Sequence, residues 1–277
     1  MNDKLYLMLS NDCNKNCKHC YMRDKKDSGL SYIHDLNDRN IDKITSYIKY
    51  NDIKTIILYG YGEPLYSIDI NRLILLVNSI RKHTKAKIKL QTNLNYELTP
   101  MHILLFKNID TIKIPFDIKG VRFKTYKELL QWFYNLKIIS KSHNDIVMEV
   151  TITRYVYETD PNKWNHFIDK LISKGYINQY YFHPIQLAGN ALDNYEDLMY
   201  NGLDKKANAK ICTWISKVFL NGFKYDPVDY NKAFPKEDSL LKPVLLWDDI
   251  YDNPHKTYIY NFSAKDMSSL MLYNINF

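Results

Sequence analysis

Three of the four cysteines in this 277-residue chain fall within eight residues, in Cys13-Asn14-Lys15-Asn16-Cys17-Lys18-His19-Cys20. Thiolates are soft metal ligands. Three of them, separated by three and then two residues, can wrap one face of an iron–sulfur cubane. Such clusters commonly take four cysteines, so a triad would bind three irons and leave the fourth open to a substrate. The alternative is zinc, in a Cys3His site that recruits His19. Against it, the adjacent His19 and Cys20 rarely reach one tetrahedral ion, and no second Cys/His pair lies nearby to complete a finger. A disulfide scaffold would use more cysteines and spread them more evenly. Cys212 stands alone and reads as a small buried hydrophobe.

A second group of residues follows at Tyr59-Gly60-Tyr61-Gly62-Glu63-Pro64. Gly62 permits close backbone approach to a ligand, Glu63 can accept hydrogen bonds from an ammonium group, and Pro64 stiffens the turn. Together the two segments resemble the radical SAM superfamily: the triad is similar to its cluster loop, and Gly60–Pro64 to its Gly-x-Gly-Glu-Pro motif. The resemblance implies a single [4Fe–4S] cluster on Cys13, Cys17 and Cys20, with S-adenosylmethionine (SAM) on its open iron. It also implies that Glu63 meets the α-ammonium of SAM and that the backbone around His19 meets adenine, with Tyr21 beside it. Gln91-Thr92-Asn93-Leu94 resembles the family's third-strand Thr-Asn-Gly, with Leu94 in place of glycine. Pro115-Phe116-Asp117 stands where relatives have Ser-x-Asp, so Pro115 replaces the serine that touches SAM. Asp117 would bind ribose hydroxyls or else cap a turn, and Arg122 would reach the SAM carboxylate or lie on the surface. Thr153, at the end of the fifth strand, is a further candidate cofactor contact. Arg154, His183 and Gln186 are candidate substrate contacts.

The elements that must position these residues alternate regularly. Strand-like runs cover residues 4–10, 53–59, 87–91, 111–116, 146–153 and 179–183. Between them, helical periodicity marks residues 41–50, 70–81, 124–139 and 164–171, for example Leu73, Leu76, Val77 and Ile80 on one face. Pro100 and Pro161 stand where helices begin. Serial strand–helix units imply parallel strands with right-handed crossovers. The expected fold is α/β, a partial (β/α)6 open TIM-like barrel, with residues 1–190 as the core. The cysteines then lie on the loop after the first strand, at the strand C-termini where such barrels carry their chemistry.

Residues 191–277 form an expected mixed, irregular extension over the barrel mouth. It includes a polar helix over 195–209 and a hairpin at Asn221-Gly222. Cys212-Thr213-Trp214 and this hairpin resemble the opening of a SPASM or twitch extension, and Ala188-Gly189-Asn190-Ala191 is more loosely similar to a segment of the same group. With no further cysteines, no auxiliary cluster is expected. The chain is 45% hydrophobic and 25% charged, ordinary for a folded soluble protein. No apolar run approaches the ~20 residues of a membrane helix, and the N-terminus lacks a signal-peptide pattern, so a cytoplasmic location is expected. The resemblance implies an electron donor such as flavodoxin or ferredoxin. The extension points to a peptide, protein or small-molecule substrate. The net charge of +7 leaves a nucleotide or nucleic acid as an alternative, and a non-catalytic Fe–S or zinc module is the third reading.

Overall fold

A computed structural model of the chain describes residues 4–10, 12–20, 33, 35–117, 122–142, 145–184 and 190–198. Six strands follow one another as β1 (Lys4–Met8), β2 (Thr55–Tyr59), β3 (Lys87–Gln91), β4 (Thr111–Phe116), β5 (Ile146–Ile152) and β6 (Gln179–Pro184). Each pairs in parallel with the next, in the order β1-β2-β3-β4-β5-β6. A strictly sequential parallel sheet needs a crossover between every pair of strands. These are supplied by α1 (Asp38–Tyr50), α2 (Pro64–Ser67), α3 (Ile70–His83), α4 (Pro100–Phe106), α5 (Tyr126–Ile139), α6 (Arg154–Tyr157) and α7 (Pro161–Ser173), with α8 (Asn190–Asp193) and α9 (Tyr195–Leu198) following β6. The fold is the expected open α/β barrel.

Register divides the strand residues between two faces. Ile56, Ile88, Leu90, Ile112, Ile114 and Met148 fall in line across the sheet. They join one buried apolar cluster with Ile44 and Ile48 of α1, Leu73, Leu76 and Ile80 of α3, and Trp132 and Leu136 of α5. The other face is polar toward the middle of the sheet. There the buried Lys113 ammonium lies 3.3 Å from a buried Glu149 carboxylate oxygen, and Gln91 donates to the other oxygen at 3.2 Å.

Helix starts follow local chemistry. Asn37, Asp69, Thr125 and Asp160 cap α1, α3, α5 and α7, each accepting a first-turn N–H. Pro100 and Pro161 occupy first-turn positions as expected. The periodic stretches find the long helices; 70–81 begins with α3 and 124–139 just before α5, whereas 41–50 and 164–171 begin late. The N-terminal turns of α1 and α7 carry exposed polar residues and gave no apolar period. The four-residue helices α2 and α6 are too short for periodicity to signal. Of the helix expected over 195–209, Tyr195–Leu198 is helical. Its remainder, the Asn221-Gly222 hairpin and Cys212 lie outside the described residues.

Candidate active site

The cysteine loop leaves β1 and is held at once by the loop after β2. Gly62 N–H donates to the Ser10 carbonyl (3.3 Å) and Glu63 N–H to that of Asp12 (2.7 Å). A Cβ on Gly62 would lie 1.8 Å from the Asp12 carbonyl oxygen, and one on Gly60 2.7 Å from that of Ser10. The close approach for which the sequence reserves glycine is therefore to the chain's own cysteine loop.

Glu63 ties this crossing to the end of β3. One carboxylate oxygen accepts from the Thr92 hydroxyl (2.7 Å) and from Leu65 N–H (3.2 Å) at the start of α2. The other accepts from Asn93 N–H. Burial pushes the Glu63 carboxyl up to about 7, against the pull of these donors and of the Arg122 charge. With Asn93 fixed, its side-chain amide donates to Asn14 Oδ1 at 2.8 Å and approaches Cys13 Sγ at 3.9 Å. Asn14 in turn donates to the Asn95 carbonyl at 2.7 Å. Leu94, which stands where the resembled motif has glycine, takes the left-handed conformation at φ 55°. That strain costs roughly 1–2 kcal/mol. It is offset by full burial of the side chain and by the Asn135 amide, which donates to the carbonyls of Leu94 and Tyr96 at 3.0 and 2.7 Å.

The far side of the cysteine loop is held as well. The buried Lys15 ammonium meets Glu128 of α5 at 2.9 Å. Asn190, at the start of α8, donates to the Cys17 carbonyl (3.0 Å) and to Asn16 Oδ1 (2.8 Å). Lys18 pairs with Asp197 of α9 at 2.6 Å, and Asp197 also accepts from Tyr155 (2.7 Å) and Arg154 (3.2 Å). Arg154, expected to meet substrate, is thus engaged within the chain.

At the end of β4, buried Asp117 accepts from Arg122 Nε at 2.7 Å. Arg122 Nη2 lies 3.0 Å from His19 Nε2. A guanidinium can only donate, so Nε2 accepts and the imidazole proton sits on Nδ1. Burial pulls the Arg122 pKa down, but Cys17 and Asp117 outweigh it and hold the guanidinium firmly charged. Thr153 is buried at the start of α6. His183 lies opposite Thr151 in the β5–β6 register, while Tyr21 and Gln186 lie outside the described residues. Sequence reasoning passed over Asn14, Asn95 and Asp197 as site-building residues. Their one signal was their place beside the motifs or after the last strand.

Cys17 is buried, Cys20 half-buried and Cys13 exposed. Burial pushes the Cys17 thiol up to about 11, with Arg122 drawing it back and the other two cysteines raising it further. Three soft donors on one loop, braced by the turns after β2 and β3, fit a thiolate-bound iron–sulfur cluster, which takes each cysteine on a different iron.

A family model described as the radical SAM superfamily matches residues 7–151, just over half of the chain. The chain belongs to the radical SAM superfamily. Membership in this family of enzymes implies a [4Fe–4S] cluster and SAM. Two solved structures agree in fold. "Native anSMEcpe with bound AdoMet and Cp18Cys peptide" is 15% identical over 85% of this chain and 67% of that one, with a TM-score of 0.53. "Native anSMEcpe with bound AdoMet and Kp18Cys peptide" is 14% identical over 79% and 59%, with a TM-score of 0.52. "Crystal structure of BtrN in complex with AdoMet and 2-DOIA" is 16% identical with a TM-score of 0.39, and the match spans 53% of this radical SAM chain and 56% of BtrN. No curated protein matches the chain by sequence. Among the described residues no helix is long and apolar enough to cross a membrane.

Proposed function

We propose that this chain holds a [4Fe–4S] cluster on Cys13, Cys17 and Cys20, binds SAM over it, and acts on a peptide, protein or small-molecule substrate. The observation that carries the reading is the bracing of the cysteine loop by Gly62, Glu63 and Asn93. It brings the two most specific motifs of the sequence into one hydrogen-bonded unit at the strand C-termini. A cluster bound there would supply one electron to the sulfonium of SAM, giving methionine and a 5′-deoxyadenosyl radical that takes hydrogen from the substrate.

The chain's own residues orient and enclose. Asn93, Thr153 and the Arg122 guanidinium stand at the ends of β3, β5 and β4, where SAM would lie against them, with His19 and Tyr21 on the adenine side. Glu63 acts chiefly through the backbone it fixes, and Asp117 through Arg122. Gln91, Lys113 and Glu149 make the strand face opposite the apolar core polar, and His183 and Gln186 follow on the sixth strand and after it. The substrate class rests on the resemblance of the segment beyond residue 190 to peptide-modifying relatives, and the electron would come from a flavodoxin- or ferredoxin-like donor.

The test is anaerobic reconstitution with iron and sulfide, reduction with dithionite, addition of SAM and assay of 5′-deoxyadenosine. Wild type should make it and Cys17→Ala should not. Zinc in place of iron in protein purified without oxygen would overturn the reading. An intact, reducible cluster that neither binds nor cleaves SAM would favour a non-catalytic module.

A further inference from the structure

The guanidinium of Arg122 is one hydrogen bond from the cysteine loop. Its side chain is 12% exposed, and those of its partners Asp117 and His19 are 2% and 8% exposed. A buried cation is costly unless paired, and here the pairing is lopsided. Arg122 Nε binds Asp117 Oδ2 at 2.7 Å, while Nη2 reaches across to His19 Nε2 at 3.0 Å. Asp117 Oδ2 is farther from that nitrogen, at 3.6 Å. His19 lies two residues after Cys17 and next to Cys20. The positive member of the pair is therefore the nearer to the ligand loop, and the negative member stands behind it.

We propose that Arg122 is a positioning and charge-setting residue for the cluster: it raises the reduction potential and, through His19, fixes the segment between Cys17 and Cys20, while Asp117 limits the effect. The inference rests on the reading that the three cysteines hold a [4Fe–4S] cluster. Reduction adds one electron from an external donor, and no bond forms or breaks. The cluster becomes more negative by one charge, so a fixed cation nearby favours the reduced state, and an anion opposes it. Burial lets the effect act across several ångströms, because screening by water is weak there. Arginine keeps its charge at every working pH, so the effect is a constant property of the site.

The test is a redox titration of the anaerobically reconstituted full chain, without SAM. Dithionite is the reductant, and the electron paramagnetic resonance of the reduced cluster is the readout. Arg122→Met should move the midpoint to more negative potential, leaving about tenfold less reduced cluster at a fixed potential, about 59 mV for one electron. Asp117→Asn should move it the opposite way, and Arg122→Lys should stay near wild type. A purely structural role would not shift the two charge variants in opposite directions. Should Arg122→Met fail to hold a cluster, the positive shift of Asp117→Asn relative to wild type and Arg122→Lys decides. Unchanged midpoints with intact clusters would overturn the inference and leave the proposed function standing. So would a shared direction of shift, or a change in Arg122→Met only once SAM is present. Failure of wild type to form any [4Fe–4S] cluster would instead overturn the proposed function, and this inference with it.

Discussion

Gly62 and Glu63 show how much the site depends on single atoms. With 1.8 Å between a Cβ on Gly62 and the Asp12 carbonyl oxygen, Gly62→Ala must part the two loops. The expected cost is about 1–3 kcal/mol of overpacking or more, read as a lower thermal midpoint together with loss of bound iron. Gly60→Ala, at 2.7 Å from the Ser10 carbonyl, should lose less of both. Glu63 carries a pH signature. Its carboxyl is raised from an ordinary 4.5 to about 7 by burial, so between these values the folded chain binds more protons than the unfolded one. Stability from the neutral form is therefore present below about 4.5 and is lost as pH rises toward 7, by up to about 3 kcal/mol. Glu63→Gln cannot titrate. Denaturant unfolding at pH 5 and pH 8 should show wild type losing stability relative to the variant as pH rises, and a constant difference would contradict this.

At the scale of elements, the cysteine loop is a shared product of β1, the turns after β2 and β3, and α5, α8 and α9. Aromatic packing fixes the end of β4. Phe116, the last residue of β4, stacks on Phe167 of α7 at 5.0 Å and meets Trp132 of α5 at 5.1 Å between centroids. This seats Asp117, which follows it. The least redundant attachment is Asn190, whose one amide serves both Asn16 and the Cys17 carbonyl. Asn190→Ala removes both bonds, at a cost of about 0.5–1.5 kcal/mol, since the Cys17 carbonyl keeps the Cys20 N–H and Asn16 is exposed. Hydrogen exchange should then quicken at Lys15–Cys20 and in α8, while the β2–β4 amides, held by sheet pairing, should exchange as before. Equal quickening across the sheet would mean that α8 supports the whole fold rather than this loop.

For the whole molecule, the sequence was most readable where a pattern repeats and least where contacts join distant segments. The strand runs at 87–91 and 111–116 match β3 and β4 residue for residue, because Ile88 and Leu90, and Ile112 and Ile114, alternate with polar neighbours at the period of two that a strand imposes. The single-turn helices and the asparagine clasp of Asn14, Asn93 and Asn95 carry no period, and only the crossing of loops reveals them. Arg122 was legible as a cation near the site, but its contact with His19 was not, since His19 follows β1 while Arg122 and Asp117 both follow β4. The same long-range bonding predicts how a bound cluster acts on the fold. A ligand held by the native chain and not by the unfolded one stabilises by linkage, about 2.7 kcal/mol when present at a hundred times its dissociation constant. In a chain of this size that corresponds to a rise in melting midpoint of roughly 5–10 °C. Because the cysteine loop is bonded to the turns after β2 and β3 and to α5, α8 and α9, that energy should reach the sheet. Reconstituted wild type should melt as one raised transition, and removing the iron with a chelator should lower it again. Cys17→Ala should show no rise on the same treatment. A cluster that assembles with its usual absorbance yet leaves the midpoint unmoved would mean that the cysteine loop opens independently of the barrel.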